Sequence, residues 1–416
     1  MNELSSKPIR VAILHQGFIP HYRVRFYELL NQISGTQYVV FHGAPASGSG
    51  WIAAEGPFDF PNRWAEGREL HLGGWLALYQ PVIREVLGGG YDVVVLGHEV
   101  KFLSNILLAL LCKARGTPVL YWGLGYHIRG NFGFTSDSKG WVDWLAARVK
   151  NGLTRLADGY LAYTKGGAEQ LAAIGFPPER TFVLQNTIDI SSQCRIYETL
   201  KDADPLALRE DFGLHPDSIV LVYVGRLTED KHVDELIEAV VRMNRQGDSQ
   251  TVVEALIIGS GPMKDVLEQQ AGGNPAIKFL GPIFDDARIA RYIKIAAAVV
   301  IPGRAGLAVN HALAQGRPII TRNNAVHGPE VEYISDGYNG LIIDGDMDAF
   351  VATLARFVAS PEWQRQLSEG ALRSREGLRM EHMVQQFDDA VKTIATGKGA
   401  MITRSALHDT APQPPA

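Results

Sequence analysis

The sequence predicts an α/β protein made of two doubly wound, Rossmann-like domains that face a cleft. Short apolar strands alternate with amphipathic helices along both halves, a rhythm typical of parallel sheets covered by helices on both faces. At 416 residues, the chain is too long for one ordinary core and suits two domains of about 200 residues. A polar stretch at 191–218 contains Pro205 and Pro216 and is predicted to be the linker.

The N-terminal half, residues 1–190, is predicted to be one Rossmann-like domain. Its strands are apolar runs, and its helices carry apolar residues at helical spacing. Two connections, 43–68 and 123–138, are long and glycine-rich, and loops of that length are usually functional or mobile. The predicted strands are Arg10–Leu14, Tyr38–Phe41, Tyr91–Leu96, Pro118–Trp122, Tyr160–Tyr163 and Thr181–Gln185, and the predicted helices are His21–Ile33, Trp75–Leu87, Lys101–Ala114 and Trp141–Leu156.

The second half repeats this rhythm over 219–377, which is predicted to be the second domain. A C-terminal helix at 378–395 and a Pro/Ala/Thr-rich tail at 396–416, predicted to be disordered, complete the chain. Ligands of open α/β sheets bind at the carboxyl ends of strands. The predicted strands include Ile219–Val224, Glu254–Ile258, Ile277–Leu280, Pro318–Arg322 and Leu341–Ile343, and the predicted helices include Val233–Val241, Lys264–Ala271, Ala287–Ala297, Leu307–Ala314, Met347–Val358, Glu362–Glu376 and Glu381–Ala395.

Composition narrows the class of protein further. Hydrophobic residues make up 46% and charged residues 20% of the chain, and the formal net charge of −5 argues against a dedicated nucleic-acid binder. Two cysteines, Cys112 and Cys194, are too few for a metal framework and indicate a reducing compartment. No signal-peptide pattern precedes the first strand, and no apolar run approaches the ~20 residues of a transmembrane helix. These features predict a cytoplasmic protein.

Two glycine-rich loops lie within the stretch Ile301–Gly340. The first turns at Gly303 and Gly306 between a strand and a helix, and the second is His327-Gly-Pro-Glu330. A strand, a glycine loop and a helix N-terminus together present free backbone N–H groups to an anion. The stretch is therefore interpreted as the floor of a nucleotide pocket.

Two basic residues follow a buried strand further upstream. Arg226 and Lys231 are separated from the strand Ile219–Val224 by a few loop residues. A diphosphate leaving group gains negative charge as its bond to a sugar breaks, and two cations can stabilise that charge without a metal. The alternative is an exposed turn in which Glu229 and Asp230 pair with these bases.

These motifs resemble the donor-site signature of the family-4, GT-B-fold glycosyltransferases, also called group 1 transferases. The resemblance covers roughly Asp189 to Ala359 and rests on motifs in the right order: Val224-Gly-Arg-Leu227 with Lys231, Ile258-Gly-Ser-Gly-Pro262, Phe279-Leu-Gly281 and the 301–340 stretch. It implies a GT-B architecture and a nucleotide-sugar donor site in the second domain. The family usually places a Glu at each end of the loop and helix, eight positions apart, where this chain has Gly303 and His311.

The resemblance also implies a set of donor-binding residues. Gly259 and Gly261 would let the nucleotide approach the backbone, although an ordinary tight turn is the alternative. Phe279 and Leu280 would lie near the base or belong to the core. The complete set is Arg226, Lys231, Gly259, Gly261, Phe279, Leu280, Gly303, Arg304, Gly306, Leu307, His311 and Glu330.

Arg304 and His311 change the chemistry that a pair of carboxylates would supply. A guanidinium only donates hydrogen bonds, so Arg304 is predicted to contact an acidic donor sugar, the diphosphate or an acidic acceptor. The alternative is that Arg304 points to solvent or pairs with Glu330. A neutral His311 can still accept one hydrogen bond from a ribose hydroxyl.

In the N-terminal half, the resemblance implies a catalytic-region histidine after the strand Pro118–Trp122. His127 fills that place, where it would contact the donor sugar or position the acceptor, unless it is a solvent-facing loop residue. Glu99 is a candidate acceptor-side carboxylate. The helix Trp141–Leu156 has an apolar side and carries Arg148, Lys150 and Arg155 elsewhere, which suits either a core helix or contact with an anionic membrane.

Acidic residues cluster at Asp285-Asp286 and Asp344–Asp348. Both clusters immediately precede helical patterns, where Asp accepts hydrogen bonds from free N–H groups. They are interpreted as helix caps, and no metal site is predicted. No cofactor is predicted either, since the nucleotide-diphosphate sugar is a co-substrate.

The resemblance implies a glycosyltransferase that is metal-independent and retains anomeric configuration. Its partners would be a nucleotide-sugar donor and a glycan or lipid-linked acceptor, with peripheral contact at the inner face of a bacterial cell membrane and a role in polysaccharide biosynthesis. Two alternatives stay open. One is a sugar-nucleotide 2-epimerase of similar fold, and the other is a non-catalytic nucleotide-sugar-binding subunit, which the missing Glu at Gly303 favours.

Overall fold

The computed structural model describes residues 7–47, 53–72, 75–125, 148–246, 252–323 and 327–397. The chain divides into two compact units. Unit 1 consists of Met1–Asn186 together with the C-terminal helix, and unit 2 is Thr187–Arg379. The predicted boundaries were 190 for the first domain and 219–377 for the second, and the predicted tail from 398 onward lies outside the described residues.

Unit 1 is built on a seven-stranded parallel sheet. Strand β1 (Ile9–Leu14) pairs with β2 (Thr36–His42) on one side and β6 (Val93–Gly97) on the other, so Val11 lies between Tyr38 and Val93. The strand order is β3-β2-β1-β6-β7-β8-β9, and the order reverses between β1 and β6. The strands are β1 (Ile9–Leu14), β2 (Thr36–His42), β3 (Asn62–Trp64), β6 (Val93–Gly97), β7 (Val119–Gly123), β8 (Gly159–Ala162) and β9 (Thr181–Val183).

An antiparallel hairpin of β4 (Arg68–Leu72) and β5 (Trp75–Tyr79) forms a separate two-stranded sheet. The predicted helix Trp75–Leu87 is therefore wrong over its first half. Pro81 lacks the N–H that a helix interior needs, so the helix α2 begins only at Ile83 and ends at Gly88. The sequence did carry the hairpin signal, a Gly-Gly pair at 73–74 that follows the alternating stretch Arg68–Leu72 and precedes the apolar run Trp75–Tyr79.

Helices cover both faces of the sheet in unit 1, and the last helix of the chain is one of them. The rings of Phe387 and Trp122 lie 5.1 Å apart, those of Phe387 and Phe26 5.4 Å apart, and the Tyr38 hydroxyl donates to Asp388 at 2.6 Å. The helices are α1 (His21–Leu30), α2, α3 (Leu103–Arg115), α4 (148–154), α5 (Lys165–Ala173) and α14 (Met380–Ala395).

Unit 2 is built on a six-stranded parallel sheet in the order β12-β11-β10-β13-β14-β15. The order reverses between β10 and β13, and such a switch point is where open α/β sheets bind ligands. The predicted strands of this half are all present, within one or two residues of their predicted ends. They are β10 (Ile219–Val224), β11 (Val253–Ile258), β12 (Ile277–Gly281), β13 (Ala296–Val300), β14 (Ile319–Arg322) and β15 (Gly340–Ile343).

Two helices occupy the stretch predicted as a linker. Asp189 caps α6 (Ile190–Leu200), and Asp204 caps α7 (Pro205–Asp211), which has Pro205 in its first turn. Proline is favoured there because its missing N–H would have had no partner in the helix. The other helices of unit 2 are α8 (Val233–Gln246), α9 (Lys264–Ala271), α10 (Asp286–Ile295), α11 (Ala308–Ala314), α12 (Met347–Val358) and α13 (Pro361–Ser374).

The predicted helix Trp141–Leu156 is described only in its second half, where 148–154 is helical. Arg148 and Arg155 are exposed, whereas Lys150 is buried and does not belong to a solvated basic face. Of the helices in the described ranges, none combines the length and apolar character needed to cross a bilayer.

Candidate functional site

The loops after β10 and β11 in unit 2 pack directly against each other. The Leu227 N–H donates to the Ser260 carbonyl at 2.9 Å, and the Met263 N–H donates to the Leu227 carbonyl at 3.0 Å. A Cβ atom on Gly259 would lie 1.8 Å from the Gly225 oxygen, and one on Gly261 would lie 2.3 Å from the Leu227 oxygen. Both glycines are therefore required for loop packing, a role that the sequence analysis missed, and their role toward a nucleotide stays a prediction.

The loops after β10 and β13 are joined by three hydrogen bonds between Asp230-Lys231 and Gly303-Arg304. The Gly303 N–H donates to the Lys231 carbonyl at 3.0 Å, and the Arg304 N–H donates to the Asp230 carbonyl at 2.7 Å. The Lys231 Nζ donates to the Arg304 carbonyl at 2.6 Å. Because β10 and β13 flank the switch point of the sheet, these bonds fix Lys231 and Arg304 where a ligand is expected.

Among the predicted donor-binding residues, Lys231 has a strongly shifted pKa. Burial lowers the pKa of its ammonium group to about 8, against the attraction of the Asp230 carboxylate. The positive charges of Arg304 and Arg226 also lower the pKa of Lys231, and the negative charge of Glu330 raises it. Three cations thus converge here with two carboxylates, an arrangement suited to an anionic ligand.

Gly303 has no room for a side chain. A Cβ atom there would lie 2.4 Å from the Asp230 oxygen and 2.6 Å from both the Lys231 carbonyl carbon and His232 Cδ2. The lack of the family's first Glu therefore has a local cause, since the Asp230-Lys231 backbone and the His232 ring occupy the space that its side chain would need. By contrast, a Cβ on Gly306 would meet nothing closer than Glu330 Oε2, at 4.0 Å.

The carboxylate that faces Arg304 is that of Asp230, which the sequence analysis did not consider as its partner. The Arg304 Nη1 lies 3.8 Å from Asp230 Oδ2, and its side chain is 25% exposed. The alternative pairing with Glu330 is not found among the described ion pairs. Glu330 is buried at the start of a short 3-10 helix, Pro329–Tyr333, with its carboxylate beside Gly306 and Gly328.

His311 lies in the last turn of α11, the helix that follows the Gly303–Gly306 loop. Burial lowers the pKa of its imidazole, and the Asp286 carboxylate opposes that shift. Its Nδ1 atom is buried and has no hydrogen-bond partner among the described residues. A neutral ring with a spare ring nitrogen suits the predicted hydrogen bond to a hydroxyl. Leu307, another predicted donor-binding residue, directly precedes α11.

The remaining predicted donor-binding residues, Phe279 and Leu280, lie near the C-terminal end of the edge strand β12. Phe279 and Leu280 are partly buried, and the Gly259 N–H donates to the Gly281 carbonyl at 2.9 Å. The end of β12 is thus tied to the same loop system as Arg226 and Lys231. Nearness to a base stays a prediction.

The acidic clusters act as helix caps, which confirms that part of the sequence analysis. Asp285 accepts from the Ala287 and Arg288 N–H groups, and Asp346 accepts from the Ala349 N–H. Within the described ranges, no group of three or more His, Cys, Asp or Glu side chains is arranged to hold a metal ion.

The two predicted residues of unit 1 differ in how far the structure describes them. His127 lies outside the described residues. The Glu99 carboxylate lies 2.6 Å from Lys101 Nζ. Although partial desolvation raises the pKa of the Glu99 carboxyl, the ammonium groups of Lys101 and Lys150 hold it below its usual range.

Sequence reasoning placed His327 in a loop of the predicted pocket but gave no role to the side chains of His327 and Asp230 in this site. The Ala305 N–H donates to His327 Nδ1 at 3.2 Å, and Asp230 contacts Arg304 through both its carbonyl and its carboxylate. The available signal was position, because each residue lies in a loop at the carboxyl edge of the sheet. Asp230 was considered only as a partner of neighbouring bases.

Two family models match this chain. One, described as glycosyl transferases group 1, matches residues 206–374, and the other, described as a glycosyl transferase 4-like domain, matches residues 23–187. These matches fall in unit 2 and unit 1 respectively, with a gap over 188–205.

Curated relatives and a solved structure agree with the family models. EpsD of Bacillus subtilis (strain 168), named as a glycosyltransferase, is 27% identical over 320 residues, which are 75% of this chain and 80% of EpsD. The D-inositol 3-phosphate glycosyltransferase of Nocardioides sp. is 26% identical over 326 residues, covering 73% of this chain and 68% of that protein. The crystal structure of HepE from Anabaena in complex with UDP has a TM-score of 0.67 at 16% identity, covering 92% of this chain and 100% of HepE. This likeness confirms the predicted fold of two Rossmann-like domains.

Proposed function

This chain belongs to the GT-B-fold glycosyltransferases of family 4, the group 1 transferases, and from that premise we propose its substrates and its mode of transfer. As a nucleotide-sugar glycosyltransferase, it releases a nucleoside diphosphate when the sugar leaves. We propose that the acceptor is a hydroxyl of a glycan or lipid-linked saccharide. Transfer is proposed to retain the anomeric configuration and to need no metal ion.

The observation that carries this proposal is the set of hydrogen bonds that joins the loops after β10 and β13. They hold the ammonium of Lys231 beside the backbone of Arg304, within the field of Arg226. Cations fixed before the reaction stabilise the charge that develops on a leaving diphosphate. HepE has been crystallised with UDP and with UDP-glucose, and we propose the same class of donor here.

We propose that acceptor chemistry lies in unit 1, with Glu99 and His127. Because Lys101 and Lys150 hold the pKa of the Glu99 carboxyl below its usual range, Glu99 is ionised at neutral pH and is a weak base. It is therefore suited to orienting an acceptor hydroxyl by accepting its hydrogen bond. His127 is proposed to contact the reacting sugar or to position the acceptor.

A role in cell-surface polysaccharide synthesis at the inner face of the membrane is also part of the proposal. Val149, in the described part of α4, is 43% exposed and lies next to the exposed Arg148. An apolar side chain beside a cation suits the surface of an anionic bilayer. Lys150 is excluded from this contact by its burial.

The proposed reaction is tested by separating donor binding from acceptor-dependent turnover. A thermal-shift series with UDP, GDP and ADP selects the nucleotide, and its glucose or mannose conjugate is then incubated with and without octyl glycosides or a polyprenyl-linked saccharide extract. We expect nucleotide release only when an acceptor is present. Release without acceptor would instead support the 2-epimerase, and binding without release in every mixture would support a non-catalytic subunit.

Arg304→Gln is expected to reduce activity selectively on acidic donors. The guanidinium can donate two hydrogen bonds to a carboxylate, and losing this charge-assisted contact lowers kcat/KM by roughly 10-fold or more. The measurement compares UDP-glucuronic acid with UDP-glucose, and we expect less than about a 3-fold change on the neutral donor if the diphosphate is not the partner. Arg291→Gln, which removes an exposed arginine paired with Asp211, is the matched control. Equal losses on both donors would assign Arg304 to the diphosphate, and unchanged kinetics would remove it from the site.

A further inference from the structure

His327 connects two loops of the candidate donor site through both of its ring nitrogens. Its Nδ1 accepts from the Ala305 N–H at 3.2 Å, and its Nε2 lies 2.7 Å from the Arg322 carbonyl. A carbonyl only accepts, so Nε2 carries the proton and the ring is the neutral Nε2–H tautomer. The ring therefore joins the end of β14 to the loop after β13.

The peptide groups of Ala305 are held on both sides by the same segment. While the Ala305 N–H reaches His327, the Ala305 carbonyl accepts from the Gly328 N–H at 2.8 Å. A Cβ atom on Gly328 would lie 2.7 Å from the Ala305 oxygen. Since Ala305 lies between Arg304 and Gly306, its anchoring sets the position of both.

We propose that His327 is a positioning residue of the donor site, whose neutral imidazole holds the Arg304–Gly306 loop in its donor-binding position and whose protonation releases that loop. The proposal rests on the donor function proposed above. It makes donor binding weaker in mildly acidic solution, through a residue that need not touch the donor.

The charges around the ring favour its neutral form. Burial lowers the pKa of His327, its bond to the Arg322 carbonyl opposes that shift, and the charges of Lys231 and Arg304 lower it further. Two carboxylates balance these cations only in part, since Asp230 faces Arg304 and Glu330 lies beside Gly328. The Arg322 guanidinium on β14 is paired with Glu235 at 2.5 Å.

Protonation of His327 removes the acceptor that Ala305 uses. An imidazolium donates from both nitrogens, so Nδ1–H would face the Ala305 N–H, and a further positive charge would stand near Lys231 and Arg304. The folded-state pKa is lower than the ordinary value of about 6.5. The anchoring is therefore complete above the ordinary pKa, and it is lost as the pH falls through the lower folded value.

Two variants separate the effect of protonating His327 from the effect of losing the hydrogen bond that its ring accepts from Ala305. In His327→Asn, the side-chain oxygen can take the place of Nδ1 and accept from Ala305, but it does not titrate. His327→Leu keeps an apolar volume and removes the acceptor.

The first measurement needs no ligand: it is hydrogen exchange of the 303–307 amides at pH 7.5, with thermal melting to verify folding. The second is the dissociation constant of UDP-glucose from pH 5.5 to 8, because its diphosphate diester does not titrate in that range.

For the wild type, we expect UDP-glucose binding to weaken progressively as the pH falls from 7.5 towards 5.5, with a limit of about 10-fold at full protonation, as expected for one or two lost hydrogen bonds. His327→Asn should bind within about 3-fold of the wild type at pH 7.5 and lose the acid weakening. His327→Leu should be about 5- to 10-fold weaker at both pH values and show faster exchange at 303–307.

Two results would overturn the proposal: wild-type exchange at 303–307 in His327→Leu, or an acid weakening that persists in His327→Asn. Persistence would assign the titration to another group of the site, such as His311. If the wild type binds no sugar nucleotide at any pH, the proposed function fails by itself. The exchange comparison then still decides whether His327 anchors the loop.

Discussion

Replacing Lys231 by alanine is expected to weaken nucleoside diphosphate binding by about 10- to 100-fold, with the uridine nucleoside alone bound nearly as before. The physical reason is the loss of a charge-assisted contact of about 1.5–3 kcal/mol with the diphosphate. Its Nζ also bonds to the Arg304 carbonyl, so the variant loosens the neighbouring loop as well. Calorimetric titration with UDP and with uridine measures both quantities, and Arg226→Ala should follow the same pattern.

The matched control removes one lysine from the same unit at the opposite edge of the sheet. Lys294 lies at the end of α10, immediately before β13 begins, and bonds to the Lys201 carbonyl. Lys294→Ala should leave UDP affinity unchanged. If Lys231→Ala and Arg226→Ala bound UDP as tightly as this control, the donor site would have to lie elsewhere.

The pKa of Lys231 adds a pH dependence with a defined sign. Burial lowers this pKa to about 8, so the charged fraction falls as the pH rises through 8. Only the ammonium form attracts the diphosphate, and the terminal phosphate of UDP, with a second pKa of about 6, is already ionised at pH 7.5. Wild-type affinity for UDP is therefore expected to decline between pH 7.5 and pH 8.5, a range below the titration of the uracil ring, and Lys231→Ala should show no such decline.

Gly303→Ala is expected to destabilise unit 2 by about 1–3 kcal/mol and to abolish most donor binding. The added Cβ would have to displace the Asp230-Lys231 backbone and the His232 ring, which lie 2.4–2.6 Å from its position. That displacement moves Lys231 and breaks the bonds that hold Arg304. Gly303→Glu, which restores the residue usual in the family, should be at least as damaging, because the obstacle is space and not charge.

Gly306→Ala provides the comparison for stability. Its Cβ would meet nothing closer than 4.0 Å, so the melting temperature should stay within about 1–2 °C of the wild type. Thermal melting of Gly303→Ala, Gly303→Glu and Gly306→Ala measures how each substitution affects packing, separately from its effect on donor binding. If Gly303→Glu were as stable as the wild type and more active, the chain would simply lack a carboxylate that it could accommodate.

The sequence predicted those parts of the site that depend on local chain pattern. Buried strands followed by glycine and basic residues placed Arg226, Lys231 and Arg304 in loops at one edge of a sheet, and the structure brings these residues together. The pattern could not supply contacts between distant loops. Nothing local to Gly259 or Gly303 indicates that another backbone occupies the space beside each Cα.

The errors in the fold have identifiable causes. Strand β5 was mistaken for the start of a helix because its apolar run was assigned before Pro81 was considered. The linker prediction treated Pro205 as a breaker, although Asp204-Pro205 is also a usual way to begin a helix. Both signals were present in the sequence, but the apolar run outweighed Pro81 in the first case and the polarity of the stretch outweighed Asp204-Pro205 in the second.

The placement of α14 has a consequence for how the chain reaches its folded state. Because α14 completes the core of unit 1 through Phe387, Met383 and Val391, unit 2 is an insertion within the sequence of unit 1. During synthesis, the ribosome delivers all of unit 2 before the last helix of unit 1 emerges. Until then, the faces of Phe26 and Trp122 that α14 will cover remain without their partner. The inserted unit can therefore fold first, while the N-terminal unit waits in a form that chaperones can recognise by its exposed aromatic surface.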